Sequence, residues 1–131
     1  MADITPDLSL APPPGAPDSD CACDRLDFPF DRVLSLEKAQ RMAEFFGVLG
    51  DPNRWRILSA LALQSMRVRD LAAAVGMSES AVSHQLRILR TMRLVGYIKN
   101  GRNVIYSLKD QHIFNLYREA SEHLDEPDDR R

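Results

Sequence analysis

Long apolar runs are missing from this 131-residue chain. None approaches the roughly 20 residues needed to cross a bilayer, so neither a membrane span nor a membrane partner is expected. The opening MADITPDLSL is acidic where a secretory signal would be basic, and a cytoplasmic location is expected. Cysteine is scarce as well. Only Cys21 and Cys23 occur, too close together to staple a fold, which fits a reducing compartment. Nor does the chain contain a phosphate-cradling loop or a nucleophile paired with an activating base, so an enzyme is not expected.

What is present is charge, and it is segregated. Residues 1–53 carry 4 basic and 10 acidic side chains, net −6. Residues 54–109 carry 10 and 2, net +8, and residues 110–131 carry 3 and 7, net −4. The overall −2 therefore conceals a strongly basic middle, the footprint of a polyanion-binding segment.

Residues 1–33, with APPPGAP and many aspartates, lack hydrophobic periodicity and are expected to form a disordered tail. Residues 34–126 are expected to form one domain, and 127–131 a second tail. From Leu36, the 3–4 spacing of Ala39, Met42, Ala43, Phe46 and Leu49 predicts a helix. GDPNR ends it, and Asp51 before Pro52 suits the N-cap of the next helix, which carries Trp55, Ile57, Leu58, Leu61 and Leu63.

Val68, Leu71, Ala72 and Val75 predict a short helix ended by Gly76. Ser78 is suited to cap a following helix with Ala81, Val82, Leu86 and Leu89 inward. Two short helices joined by a tight glycine turn read as helix-turn-helix. The inward set leaves Ser80, Ser83, His84, Gln85 and Arg87 outward, and with Ser78 these are the candidates for contacting DNA. Gln85 suits a two-point contact with adenine. In YIKNGRNVIYSL, Asn100-Gly101 predicts a type I′ hairpin, with Lys99 and Arg102 placed to meet phosphate. The expected fold is mainly α with a small β-hairpin, a winged helix-turn-helix.

The last predicted helix, residues 111 to about 125, has a stripe of Ile113, Leu116, Tyr117, Ala120 and Leu124. On one flank of it lie His112 and His123, with Asp110 and Glu126 close by. The two histidines are roughly 16–17 Å apart along the axis at 1.5 Å per residue. Imidazole nitrogen sits only about 2.0–2.1 Å from bound zinc, so both cannot reach one ion. If these residues bind metal, a second copy of the helix must complete each site. Asp110 also suits the helix N-cap, alone or in addition.

DPNRWRILSAL, DLAAAVGMSESAVSHQLRILRTMRLV and GRNVIYSLKDQHI resemble the ArsR–SmtB family of bacterial metal-sensing repressors, over about residues 36–126. The resemblance implies a homodimer paired through its first and last helices, which leaves double-stranded operator DNA when an inducer binds. It also implies zinc as the regulatory ion, with cobalt or cadmium able to substitute, and Asp110, His112, His123 and Glu126 as ligands. The chain departs from the family in RVRD, where Arg67 and Arg69 stand at positions that carry thiolates in many members. A guanidinium does not ligate a cation. Cys21 and Cys23 are then either a remnant or a weak soft-metal or redox contact. An alternative reading keeps the fold and assigns the inducer to a thiol oxidant acting through these two cysteines.

Removal of residues 1–30 is expected to leave folding, DNA affinity and zinc response near normal, since the tail lacks core residues. Loss of zinc response in that truncation, measured by DNA-binding titration, would assign sensing to Cys21 and Cys23.

Overall fold

The computed structural model describes residues 27–128. Cys21 and Cys23, most of the expected N-terminal tail and the last three residues lie outside this range. The chain divides into two compact units, Met1–Ala39 and Gln40–Arg131.

In the described part of the first unit, Phe30–Arg32 form a 3₁₀ turn closed by the Val33 N–H on the Phe30 carbonyl at 3.2 Å. This is more structure than the featureless tail expected to residue 33. Ser35 Oγ accepts from the Lys38 N–H at 3.1 Å and caps the start of α1 (Leu36–Val48).

The second unit is organised by α2 (Pro52–Leu63), α3 (Val68–Val75) and α4 (Glu79–Thr91). Asp51 caps α2 by accepting from the Asn53 N–H at 2.9 Å, and Pro52 begins the helix where no N–H is needed. The helix buries Ile57, Leu58 and Leu61 and leaves its terminal Leu63 exposed. Gly76, at φ 70°, ends α3 in the left-handed conformation that disfavours residues with a Cβ. Ser78 Oγ accepts from the Ala81 N–H at 3.1 Å to open α4. Val82, Leu86 and Leu89 then turn into the core beside Leu71 and Val75.

The end of α4 is a Schellman motif. The Leu94 N–H reaches the Leu89 carbonyl and the Arg93 N–H that of Arg90, both at 2.9 Å. Leu89 and Leu94 are both fully buried, supplying the apolar contact that accompanies this cap. The left-handed position, usually glycine, is Arg93 at φ 62°.

Strands β1 (Val95–Asn100) and β2 (Asn103–Leu108) form the antiparallel hairpin. Asn100 pairs with Asn103, so the two turn residues are Gly101 and Arg102, and of these only Gly101 has positive φ, 66°. A type I′ turn centred on Asn100-Gly101 is therefore corrected. Glycine at the first central position is the type II′ pattern. Met66 adds a short third rung, exchanging backbone hydrogen bonds with Tyr106 at 3.0 and 2.8 Å. Helix α5 (Gln111–Asp125) follows, capped by Asp110, whose Oδ1 accepts from the Ile113 N–H at 3.2 Å.

Neither α1 nor α5 buries any residue. The apolar stripe along α1 is largely open: Met42 and Phe46 are exposed, and Phe45 packs toward the core. On α5 the stripe turns from half-buried Ile113 and Leu116 to an exposed Leu124. Between α5 and α2, Trp55, Tyr117, Ala120, Ser121 and Leu124 line an apolar groove of about 280 Å³. No helix of the described residues is long and apolar enough to cross a membrane.

A left-handed non-glycine residue costs about 1–2 kcal/mol. Arg93→Gly is expected to stabilise the protein by about 0.5–1 kcal/mol, because the backbone conformation it adopts is natural to glycine. Thermal unfolding should show a raised midpoint.

Candidate nucleic-acid interface and paired imidazole–carboxylate groups

Burial of Val82, Leu86 and Leu89 sets which face of α4 meets solvent. Ser80, Ser83, His84 and Arg87 are exposed on that outer face, and Ser78 is exposed at its start. Ser78 Oγ lies 3.3 Å from Ser80 Oγ while it caps the helix. Gln85 differs from the outward position expected of it. It is half-buried, and its Oε1 accepts from Arg54 Nε at 2.8 Å. The cause is helix phase: Gln85 sits beside buried Leu86 on the edge that faces α2.

Lys99 and Arg102 are exposed on the hairpin, Arg102 at the turn itself. One ring contact joins the two strands of the wing, and another steadies the wing against α4. Tyr97 and Tyr106 stand 5.5 Å apart across the strands, and the Arg90 guanidinium lies 4.8 Å from the Tyr97 ring centroid. Sequence reading gave no role to Arg54, Arg56 or Arg90. Arg54 Nη1 donates to the Val48 carbonyl at 2.8 Å, and Arg56 Nη1 donates to the Val75 carbonyl at 2.7 Å, satisfying helix-end acceptors. These contacts join residues far apart in sequence or across a turn, so local patterning carries no sign of them. Arg67 pairs with Asp70 at 3.0 Å, while Arg69 is exposed.

The four candidate ligands on and around α5 are brought together in pairs. His112 Nδ1 lies 3.7 Å from Asp110 Oδ1, and His123 Nδ1 lies 4.0 Å from Glu126 Oε1. The histidine side chains are 91% and 81% exposed, so neither serves as a core residue. Asp110 also acts as the N-cap, so its oxygen already has a structural role. His123 and Glu126 border an open recess with Leu124, Pro127 and Asp128. Among the described residues, no group of three or more histidine, cysteine, aspartate or glutamate side chains converges on one point. A single chain therefore presents two half-sets of donors, each with one imidazole and one carboxylate.

Residues 51–97, from the α2 cap through α4 into β1, match the model of the bacterial regulatory protein, arsR family. A transcriptional repressor SmtB homolog of Synechocystis sp. is 64% identical over 96 residues, covering 73% of this chain and 73% of the relative. The chain belongs to the arsR family. It is thus a transcriptional regulator of the ArsR–SmtB kind and not an enzyme. Solved structures agree on the ArsR fold. The solution structure of apo-NmtR, 43% identical, superposes with a TM-score of 0.62 over 76% of this chain and 87% of that one. The homodimeric winged helix-turn-helix DNA-binding domain of Mb0332 from Mycobacterium bovis, 25% identical, gives 0.63 over 76% and 99%.

Proposed function

We propose that the protein is a zinc-responsive transcriptional repressor that binds operator DNA as a homodimer and releases it when metal occupies sites on paired α5 helices. The observation that carries this reading is the pair of exposed imidazole–carboxylate sets, Asp110 with His112 and His123 with Glu126, at the two ends of one unburied helix. Each offers one nitrogen and one oxygen, half of a tetrahedral donor set suited to zinc. Two antiparallel copies of α5 would join the first pair of one chain to the second pair of the other, and two-fold symmetry would repeat the site.

Dimerisation is supported by the solved Mb0332 domain, which is homodimeric, and by the open apolar faces of α1 and α5. These helices follow an amphipathic pattern without burying their stripe, as expected of surfaces completed by a second copy. The donor chemistry suits zinc and also admits cobalt or cadmium. The Arg67–Asp70 pair supplies no thiolate at the start of α3, which argues against soft-metal sensing there. When bound, the metal supplies a rigid cross-link between the two α5 helices.

On the DNA side, the exposed face of α4 offers Ser78, Ser80, Ser83, His84 and Arg87 to the major groove, while Lys99 and Arg102 reach phosphate from the wing. The net +8 of residues 54–109 supports this orientation. The two functions are linked by a shared frame, because α4 and α5 both pack on α2, and the hairpin touches α4 through β1 and α5 through β2. Such coupling is reciprocal, so operator DNA should weaken zinc binding by the same factor that zinc weakens DNA binding.

His123→Ala is expected to keep operator binding and lose zinc-driven release, measured by titrating zinc into a protein–operator complex. Release that persists unchanged in this variant would remove α5 as the sensing site. Arg102→Ala is expected to weaken binding to all duplexes alike and to reduce the salt slope by about 1, since one phosphate contact is lost. An unchanged affinity and slope would take the wing out of the interface.

A further inference from the structure

Arg54 and Gln85 are 31 positions apart, one in α2 and the other in α4, yet they share a hydrogen bond of 2.8 Å. The guanidinium is anchored on other sides as well. Its Nη1 donates to the Val48 carbonyl at 2.8 Å, and its Nε stands 3.7 Å from Asp51 Oδ2. The Arg54 side chain is only 19% exposed, so these contacts hold it inside the fold.

The polarity of this bond has a consequence for base reading. A guanidinium only donates, so the amide atom facing it is the oxygen. Among the described residues, Gln85 Nε2 has no protein partner, and no buried side-chain nitrogen or oxygen lacks one. The amide nitrogen is therefore the end of Gln85 that reaches solvent. An unrestrained glutamine reads adenine with two bonds, its oxygen accepting from the 6-amino group and its nitrogen donating to N7. With its oxygen turned inward to Arg54 on the side facing α2, Gln85 presents only its donor to solvent.

We infer that Arg54 is a specificity-determining positioning residue, which turns Gln85 into a donor-only reader that selects base edges offering an acceptor. The inference rests on the proposed reading of α4 as the DNA-reading helix. Guanine O6 and N7, thymine O4 and adenine N7 accept from the free amide N–H. Cytosine presents an amino donor there and is disfavoured. Adenine gains nothing from its 6-amino group. This replaces the adenine preference that an outward Gln85 would have.

The test uses the full-length protein and duplexes selected by it from a random pool. The base pair read by Gln85 is located as the position whose preference disappears in Gln85→Leu. At that position, duplexes carrying adenine or purine (adenine without its 6-amino group) are compared, with Gln85→Leu as the reference for altered base pairing. Wild type is expected to bind the two equally. Arg54→Met frees the amide oxygen and is expected to favour adenine over purine by about fivefold or more, the lower range of a two-point contact. Arg54→Lys, which still offers a donor to the oxygen, is expected to stay close to wild type. A purely structural role for Arg54 would lower affinity for both duplexes alike.

The inference is overturned if wild type itself prefers adenine by about that factor. It is also overturned if folded Arg54→Met binds both equally, or if Gln85→Leu alters preference at no position. Each of these leaves DNA binding by α4 standing. A wild-type protein that enriches no duplex at all would instead remove the reading of α4, and this inference with it. The wild-type comparison needs no stable Arg54 variant.

Discussion

Burial of one face of α4 is the constraint on which the rest of the second unit depends. Val82, Leu86 and Leu89 are at most 1% exposed, and each such side chain contributes about 1.5–3 kcal/mol relative to exposure. With that face committed to the core, the hydroxyls, imidazole and guanidinium on the opposite side have a defined direction. The same burial extends through the Schellman turn, where Leu94 packs with Leu89 and sends the chain into β1. The wing therefore begins from a fixed point. Arg90 over Tyr97 and the Met66–Tyr106 rung then restrain its approach to α4.

Helices α1 and α5 follow a different logic. Each is amphipathic, yet neither buries a residue, and Trp55, Tyr117 and Leu124 leave an apolar groove beside α5. A chain that hides its core so thoroughly elsewhere has an unfinished surface here. In the proposed dimer that surface is completed by a second copy, and the imidazole–carboxylate pairs rim the seam. Their high exposure fits such a role, because donors held at the rim are accessible to a ligand. Asp110 is the exception, since capping α5 commits one of its oxygens, and its second oxygen remains for other contacts.

Long-range side-chain bonds explain the parts that sequence patterning did not reach. The helical phase of α4 is as expected, but Gln85 lies on the edge that faces α2, where its oxygen accepts from Arg54. At the hairpin, Asn100-Gly101 correctly signals a turn, while the pairing of Asn100 with Asn103 moves its centre onto Gly101 and Arg102. Arg93 occupies a left-handed position that a sequence reader would reserve for glycine. It is tolerated because Leu94 must enter the core immediately afterwards.

Sequence alone was sufficient for the order of helices and strands, the caps at Asp51 and Ser78, and the spacing of the four candidate ligands. These are local properties, written in 3.6-residue periodicity, capping chemistry and turn glycines. The direction in which a half-buried side chain spends its hydrogen bonds is not local. Only the tertiary structure decided that Arg54 meets Gln85, that Phe45 rather than Phe46 turns toward the core, and that the α1 and α5 stripes stay open. Each outcome depends on how separate helices are set against one another, and one chain's sequence periodicity contains no term for that distance.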